Sequence, residues 1–261
     1  MTIFLHEIRQ GRKSFVIWTG VIAFLLAVCI FLYPEMKAEM GSISELFASM
    51  GSFTAAFGMD RINFGTLNGY YAVECGNVLG LGGAFFAALC AIEVLSKEER
   101  MQTSEFLLTH PVSRVKVMTE KLISVICRVV AMNIAIFVIV VASIAVIGEP
   151  VPWGDMILMH IAYLLMTLEI ACICFGISAF IRKGSLGIGL GIAAILYFLN
   201  LIANITESAE FLKYITPFGY CDGSKIIDDG SLDPAKILIG LAIGAVCVAV
   251  AYITYPKKDI H

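Results

Sequence analysis

Residues 14–33 read SFVIWTGVIAFLLAVCIFLY, an unbroken apolar run without a single charge. A helix rises 1.5 Å per residue, so about 20 such residues cross the ~30 Å hydrocarbon core of a bilayer. Predominantly apolar runs, some with one or two charges, recur at about residues 70–95, 122–147, 155–181, 185–203 and 235–255. The composition agrees: 59% of residues are hydrophobic and 15% charged, whereas a water-facing domain carries roughly 25% charged residues. Lipid is therefore the solvent for most of the chain. The expected fold is an all-α integral membrane protein with six transmembrane helices, residues 1–261 forming a single transmembrane domain.

The segments between the runs set the orientation. Residues 1–13, MTIFLHEIRQGRK, alternate apolar and charged positions and read as a short N-terminal interfacial helix. No small-residue cleavage site closes the first run, which reads as a retained span ending at Pro34. Ile43, Leu46, Phe47 and Met50 form one apolar face, as on an amphipathic helix lying on the outer surface. Of the 18 Lys and Arg, only Lys37, Arg61, Lys213, Lys225 and Lys236 fall on one side when both termini share the other. Positive residues accumulate on the cytoplasmic side, so both ends are expected there, in a multi-pass protein of the plasma membrane. No basic tract suggests nucleic acid as a partner; the partner legible in the composition is the lipid bilayer.

The most charged stretch is KEERMQTSEFLLTHPVSRVKVMTEKLI, residues 97–123. Lys97 to Leu108 suits a short helix, Pro111 breaks it, and Ser113 can cap the helix that continues into the third span. A short helix, a stiff turn and a long helix make a lever on the inner face. This stretch resembles the loop between the second and third spans of type-2 ABC transporter permeases, which typically run acidic-acidic-x-Gly-x-x-Glu-x-Leu-Leu-x-x-Pro-Val-Ser-Arg, with a Lys further on. Glu98, Glu99, Glu105, Leu107, Leu108, Pro111, Val112, Ser113, Arg114 and Lys121 fall on that pattern. The family's usual Gly is missing, with Met101, Gln102 and Thr103 in its place. The blocks GMDRINFGTLNGYYAVE (58–74) and LKYITPFGYCDGSKIIDDGSLD (212–233) are also similar to members of the family.

The resemblance implies a cytoplasmic coupling helix within 96–121 that contacts an ABC ATPase subunit, and a re-entrant segment before the last span. It implies a dimer, either a homodimer or a pair with a second permease subunit, usually working as an exporter. A peptide, an antibiotic, a lipid-like compound, a drug or an ion would all be cargo of a known kind. No G-x-x-x-x-G-K-[ST] phosphate loop occurs; the nearest string is Arg182 to Ser185, RKGS. The chain itself is thus expected to bind no cofactor and not to be an enzyme, with ATP and Mg held by the partner ATPase.

Polar residues inside the spans are costly unless they face protein or water, which makes Glu74, Asn77, Arg128, Asn133 and Glu169, with Asn200 and Asn204, the candidates for a pathway. Glu169 and Arg128 can pair only through long side chains or a tilt. Cys172 and Cys174 lack a second pair and a nearby His, so no zinc site is expected. Cys75 and Cys221 fall near the outer face, where a disulfide is possible. Two other classes compete. A membrane-embedded enzyme needs paired Asp or a His-based site, yet of His6, His110, His160 and His261 only His160 lies in a span. An ion-driven carrier is compatible with Glu169 and the Gly-rich second span, but leaves the 96–121 lever without a role.

Overall fold

The computed structural model describes residues 2–39, 50–59, 62–63, 65–97, 113–181 and 186–257. All regular structure among them is helical. In chain order the α-helices are α1 (Thr2–Ala38), α2 (Ser52–Ala56), α3 (Leu67–Ala91), α4 (Arg114–Ile147), α5 (Trp153–Ser178), α6 (Leu186–Ile205), α7 (Gly223–Asp229) and α8 (Pro234–Thr254). Six of these, α1, α3, α4, α5, α6 and α8, are long and apolar enough to cross a bilayer. Lipid offers the backbone no hydrogen-bond partners, and helices meet that demand internally.

Three expected boundaries move. The first span does not stop at Pro34: α1 is one helix from Thr2 to Ala38 with Pro34 inside it. A proline costs a helix one hydrogen bond, and a packed neighbour can offset that loss; here Lys37 Nζ, beyond the proline, pairs with Glu149 Oε1 of the α4–α5 connector at 2.7 Å. Nor does the helix break between residues 13 and 14, because its first turns are held against α4, where the Phe4 N–H donates to Glu120 Oε2 at 3.0 Å. The second span is also shorter at its end, closing at Ala91 before a turn over residues 92–96. Within it Tyr71–Cys75 winds as a π-helical turn.

Local chemistry places the other ends. Ser113 caps α4, its Oγ accepting from the Lys116 N–H at 3.3 Å. Gly148, with φ 76°, supplies the left-handed residue that ends α4. Asp233 caps α8 through the N–H groups of Ala235 and Lys236, with Pro234 in the first turn, where its missing N–H costs nothing.

α1 packs along α4, and α5 packs along α3 and α8. The outer faces carry the large apolar side chains, such as Val16, Phe24, Val138, Leu238 and Val246. Inside, small residues let backbones approach. A side chain at Gly240 would run into the Glu169 carboxylate, and one at Gly176 would meet the backbone of Cys247 at 2.8 Å. Gly244 sits over Cys172. The register 169/240, 172/244, 176/247 makes α5 and α8 parallel neighbours along a seam of small residues. All eight cysteines are free, and Cys75 and Cys221 are both buried, so the possible disulfide between them is not formed.

Candidate functional site

Three polar clusters are buried in the bundle. At the inner end, as the sequence orients the chain, Glu7 of α1 is 3% exposed and pairs with Lys97, at the edge of the 98–112 segment. Its other oxygen faces Lys121 Nζ of α4 at 3.8 Å. Lys97 also donates to Gln10 Oε1 at 2.7 Å, and Lys121, fully buried, donates to the Val94 carbonyl at 2.5 Å. Glu7 thereby ties α1 to the residue that precedes the loop and to the second turn of the helix that follows it. Of the residues on the coupling pattern, Ser113 caps α4, Arg114 donates to the Pro256 carbonyl at 3.0 Å, and Lys121 joins the Glu7 cluster. Glu98, Glu99, Glu105, Leu107, Leu108, Pro111 and Val112 lie outside the described residues.

Deeper, Asn133 of α4 donates to Thr167 Oγ1 of α5 at 3.1 Å and to the Val129 carbonyl at 3.0 Å. Thr167 presses on Gly83 of α3, where an added Cβ would come within 3.0 Å, so three spans meet at one hydrogen bond. On the far side of α5, Glu169 accepts from the Tyr220 hydroxyl at 2.8 Å and rests on Gly240 of α8. Tyr220 comes from the segment before the last span, whose 3₁₀ turns Glu207–Tyr214 and Pro217–Tyr220 fold back against the helices. Pro217, Phe218, Gly219 and Tyr220 are all buried there, and Thr216 Oγ1 donates to the Leu196 carbonyl of α6 at 2.8 Å.

The third cluster surrounds a cavity of about 60 Å³ between α3, α5, α6 and that folded-back segment. Asn77, Tyr163, Tyr197, Asn200, Asn204 and Asp222 contribute to its wall. Tyr197 donates to Asn77 Oδ1 at 3.0 Å, Asn77 donates to the Val73 carbonyl at 2.7 Å, and Asn204 donates to the Ala56 carbonyl at 3.0 Å. Gly76 and Gly80 make room for the Tyr163 ring, whose hydroxyl would lie 2.5 Å from a Cβ at Gly76. Sites for drug-sized ligands measure roughly 300–1,000 Å³. At about 60 Å³ this chamber is in this conformation too small for cargo of that size.

Of the predicted pathway residues, Asn77, Asn200 and Asn204 therefore converge on one chamber. Glu74, in the π turn of α3, is not among its described wall residues. Asn133 and Glu169 belong to two separate contacts, and Arg128 does not reach Glu169. Arg128 donates instead to the carbonyls of Ser124, at 3.3 Å, and Cys90, at 3.4 Å. Sequence reading missed Glu7, Tyr197, Tyr220 and the α5–α8 seam. Only the seam left a readable signal, the G-x-x-x-G of Gly240 and Gly244.

Six helices long and apolar enough to cross a bilayer define a multi-pass membrane protein. The chain matches the family model of the ABC-2 family transporter proteins over residues 1–260, and it belongs to that family. It is a membrane subunit of an ABC transporter. No curated protein sequence matches it.

Proposed function

We propose that this chain is the permease half of an ATP-driven exporter of the plasma membrane, with both termini cytoplasmic, powered by a separate ATPase that docks on residues 96–121. The permease works as a dimer, with itself or with a second permease, and ATP and Mg are bound on the ATPase alone. The supporting observation is the clasp of Glu7 with Lys97, at the near edge of the 98–112 segment, and with Lys121, two turns into the helix that follows it. A push on that segment reaches α1, α4 and the turn after α3 together, since Lys121 also holds the Val94 carbonyl in that turn. The small chamber lined by Tyr163 and Asn77 then widens on one side as the helices tilt. A peptide, an antibiotic, a lipid-like compound and an ion all remain within the family's cargo.

The test is uncoupling without unfolding. Glu105→Ala removes a charge and Pro111→Ala restores an N–H and backbone freedom in the turn. Both variants should reach the membrane at normal abundance while ATPase co-purification, ATPase activity of the complex, or cargo efflux falls. Ser52→Ala, outside the segment, serves as the control. Full co-purification and efflux in both loop variants would make residues 96–121 a passive connector and remove the coupling assignment.

A further inference from the structure

The parallel helices α1 and α4 share a charge pattern outside the Glu7 clasp. In α1 residues 14–34 carry no charge, and in α4 residues 129–148 carry none. Each stretch is about 20 residues, or about 30 Å, the thickness of the hydrocarbon core. The Lys37–Glu149 ion pair closes both stretches at one end. Arg12, Lys13 and Arg128 stand at the other, on the level of lipid headgroups rather than within the core. Arg128 lies across α1, its Nη1 so close to Gly11 that a side chain there would collide with it.

At that level a groove of about 280 Å³ opens between the two helices. Ile8, Phe15, Cys127 and Ala131 give it apolar walls, and Arg12 and Arg128 also line it. Arg12 and Cys127 are exposed. A guanidinium has five N–H donors; the carbonyls of Ser124 and Cys90 occupy Nε and Nη2 of Arg128. No carboxylate pairs with Arg12 or Arg128 among the described residues. The nearest acid along α4 on that face, Glu120, lies about 12 Å from Arg128 along the axis and accepts the Phe4 N–H. The surface of the groove is almost wholly apolar and two cationic side chains border it at the level of the headgroup layer, so its complement is an anion carrying an acyl chain.

We propose that this groove binds an anionic phospholipid, its phosphate held by Arg12 and Arg128 and its acyl chain laid against Phe15 and Ala131. The site rests on α1 and α4 crossing the bilayer and not on the ATPase reading, so the two fail separately.

Native mass spectrometry of the delipidated full chain, given phosphatidylglycerol or phosphatidylcholine with matched acyl chains, tests it. Phosphatidylglycerol should be retained and phosphatidylcholine should not, and free glycerol phosphate should fail to compete. Arg12→Ala should lower retention about fivefold, the worth of one basic contact at a lipid surface. Cys127→Trp, which fills the groove and keeps both charges, should abolish it, whereas Lys13→Ala should leave it unchanged. Arg128 is left intact because it also holds the end of α3. Equal retention of the two lipids, or unchanged retention in both Arg12→Ala and Cys127→Trp, overturns the proposal. So does oxidative cross-linking of a variant whose sole cysteine is Cys127, since the groove would then be covered by a second copy of the chain.

Discussion

Tyr220 donates its hydroxyl to Glu169 Oε2 at 2.8 Å, joining the segment before the last span to the interior of α5. The bond also lies over Gly240, so three elements meet at one carboxyl group. Leaving a buried polar group without its partner costs about 1–3 kcal/mol. Tyr220→Phe and Glu169→Leu should therefore insert at normal abundance, lose thermal stability on that scale and impair transport. Glu169→Gln keeps an acceptor for Tyr220 and should be milder. Efflux measured beside membrane abundance checks this, and a fully active Glu169→Leu would show that the contact is dispensable.

The clasp at the inner end should be sensitive in one direction. Glu7→Ala leaves the fully buried Lys121 without its nearby carboxylate, and breaking a buried pair from one side costs about 3–5 kcal/mol. Lys97→Ala should cost less, because Glu7 keeps Lys121. Melting temperatures in detergent would rank the two; the reverse order would mean that Lys97, not Glu7, anchors the cluster.

Asp233 gives a pH signature. Its hydrogen bond to Lys236, followed by the N–H groups it caps, holds its carboxyl below the usual aspartate range. A lowered folded-state value means that its contribution is complete above the ordinary aspartate pKa of about 3.9 and is lost as the pH falls through the lowered value. Asp233→Ala should lose about 1 kcal/mol of helix capping at neutral pH. The gap between variant and wild type should close only in strong acid. A gap already gone at pH 5 would exclude the cap as its cause.

Membrane sidedness is best read at Ser231, which is exposed, rather than at Cys221, which is buried. With the other cysteines replaced, Ser231→Cys should react with an impermeant thiol reagent added outside intact cells, and Ser104→Cys should not. Labelling at position 104 from outside would reverse the orientation on which the exporter reading stands.

Six helices were legible before any coordinates, because in lipid a predominantly apolar run of about 20 residues has helix as its open solution. Ser113 as the cap of the third span was equally plain, since capping depends on residues a turn apart. Pro34 misled: local rules say that proline ends a helix, but a helix held beyond it by Lys37 and Glu149 carries on. The coupling pattern at 98–112 was legible as sequence alone, and its placement lies outside the described residues.

What the sequence determined by itself was the solvent, the number of spans and the Ser113 cap, all properties of neighbours along the chain. Which polar side chains meet was decided only by tertiary structure. Glu169 finds Tyr220 and not Arg128, and Glu7 finds Lys97, because those meetings depend on the rotation and register of packed helices. That register is set where small residues such as Gly176 and Gly240 let backbones close to contact, and it places residues far apart in the chain within one hydrogen bond of each other.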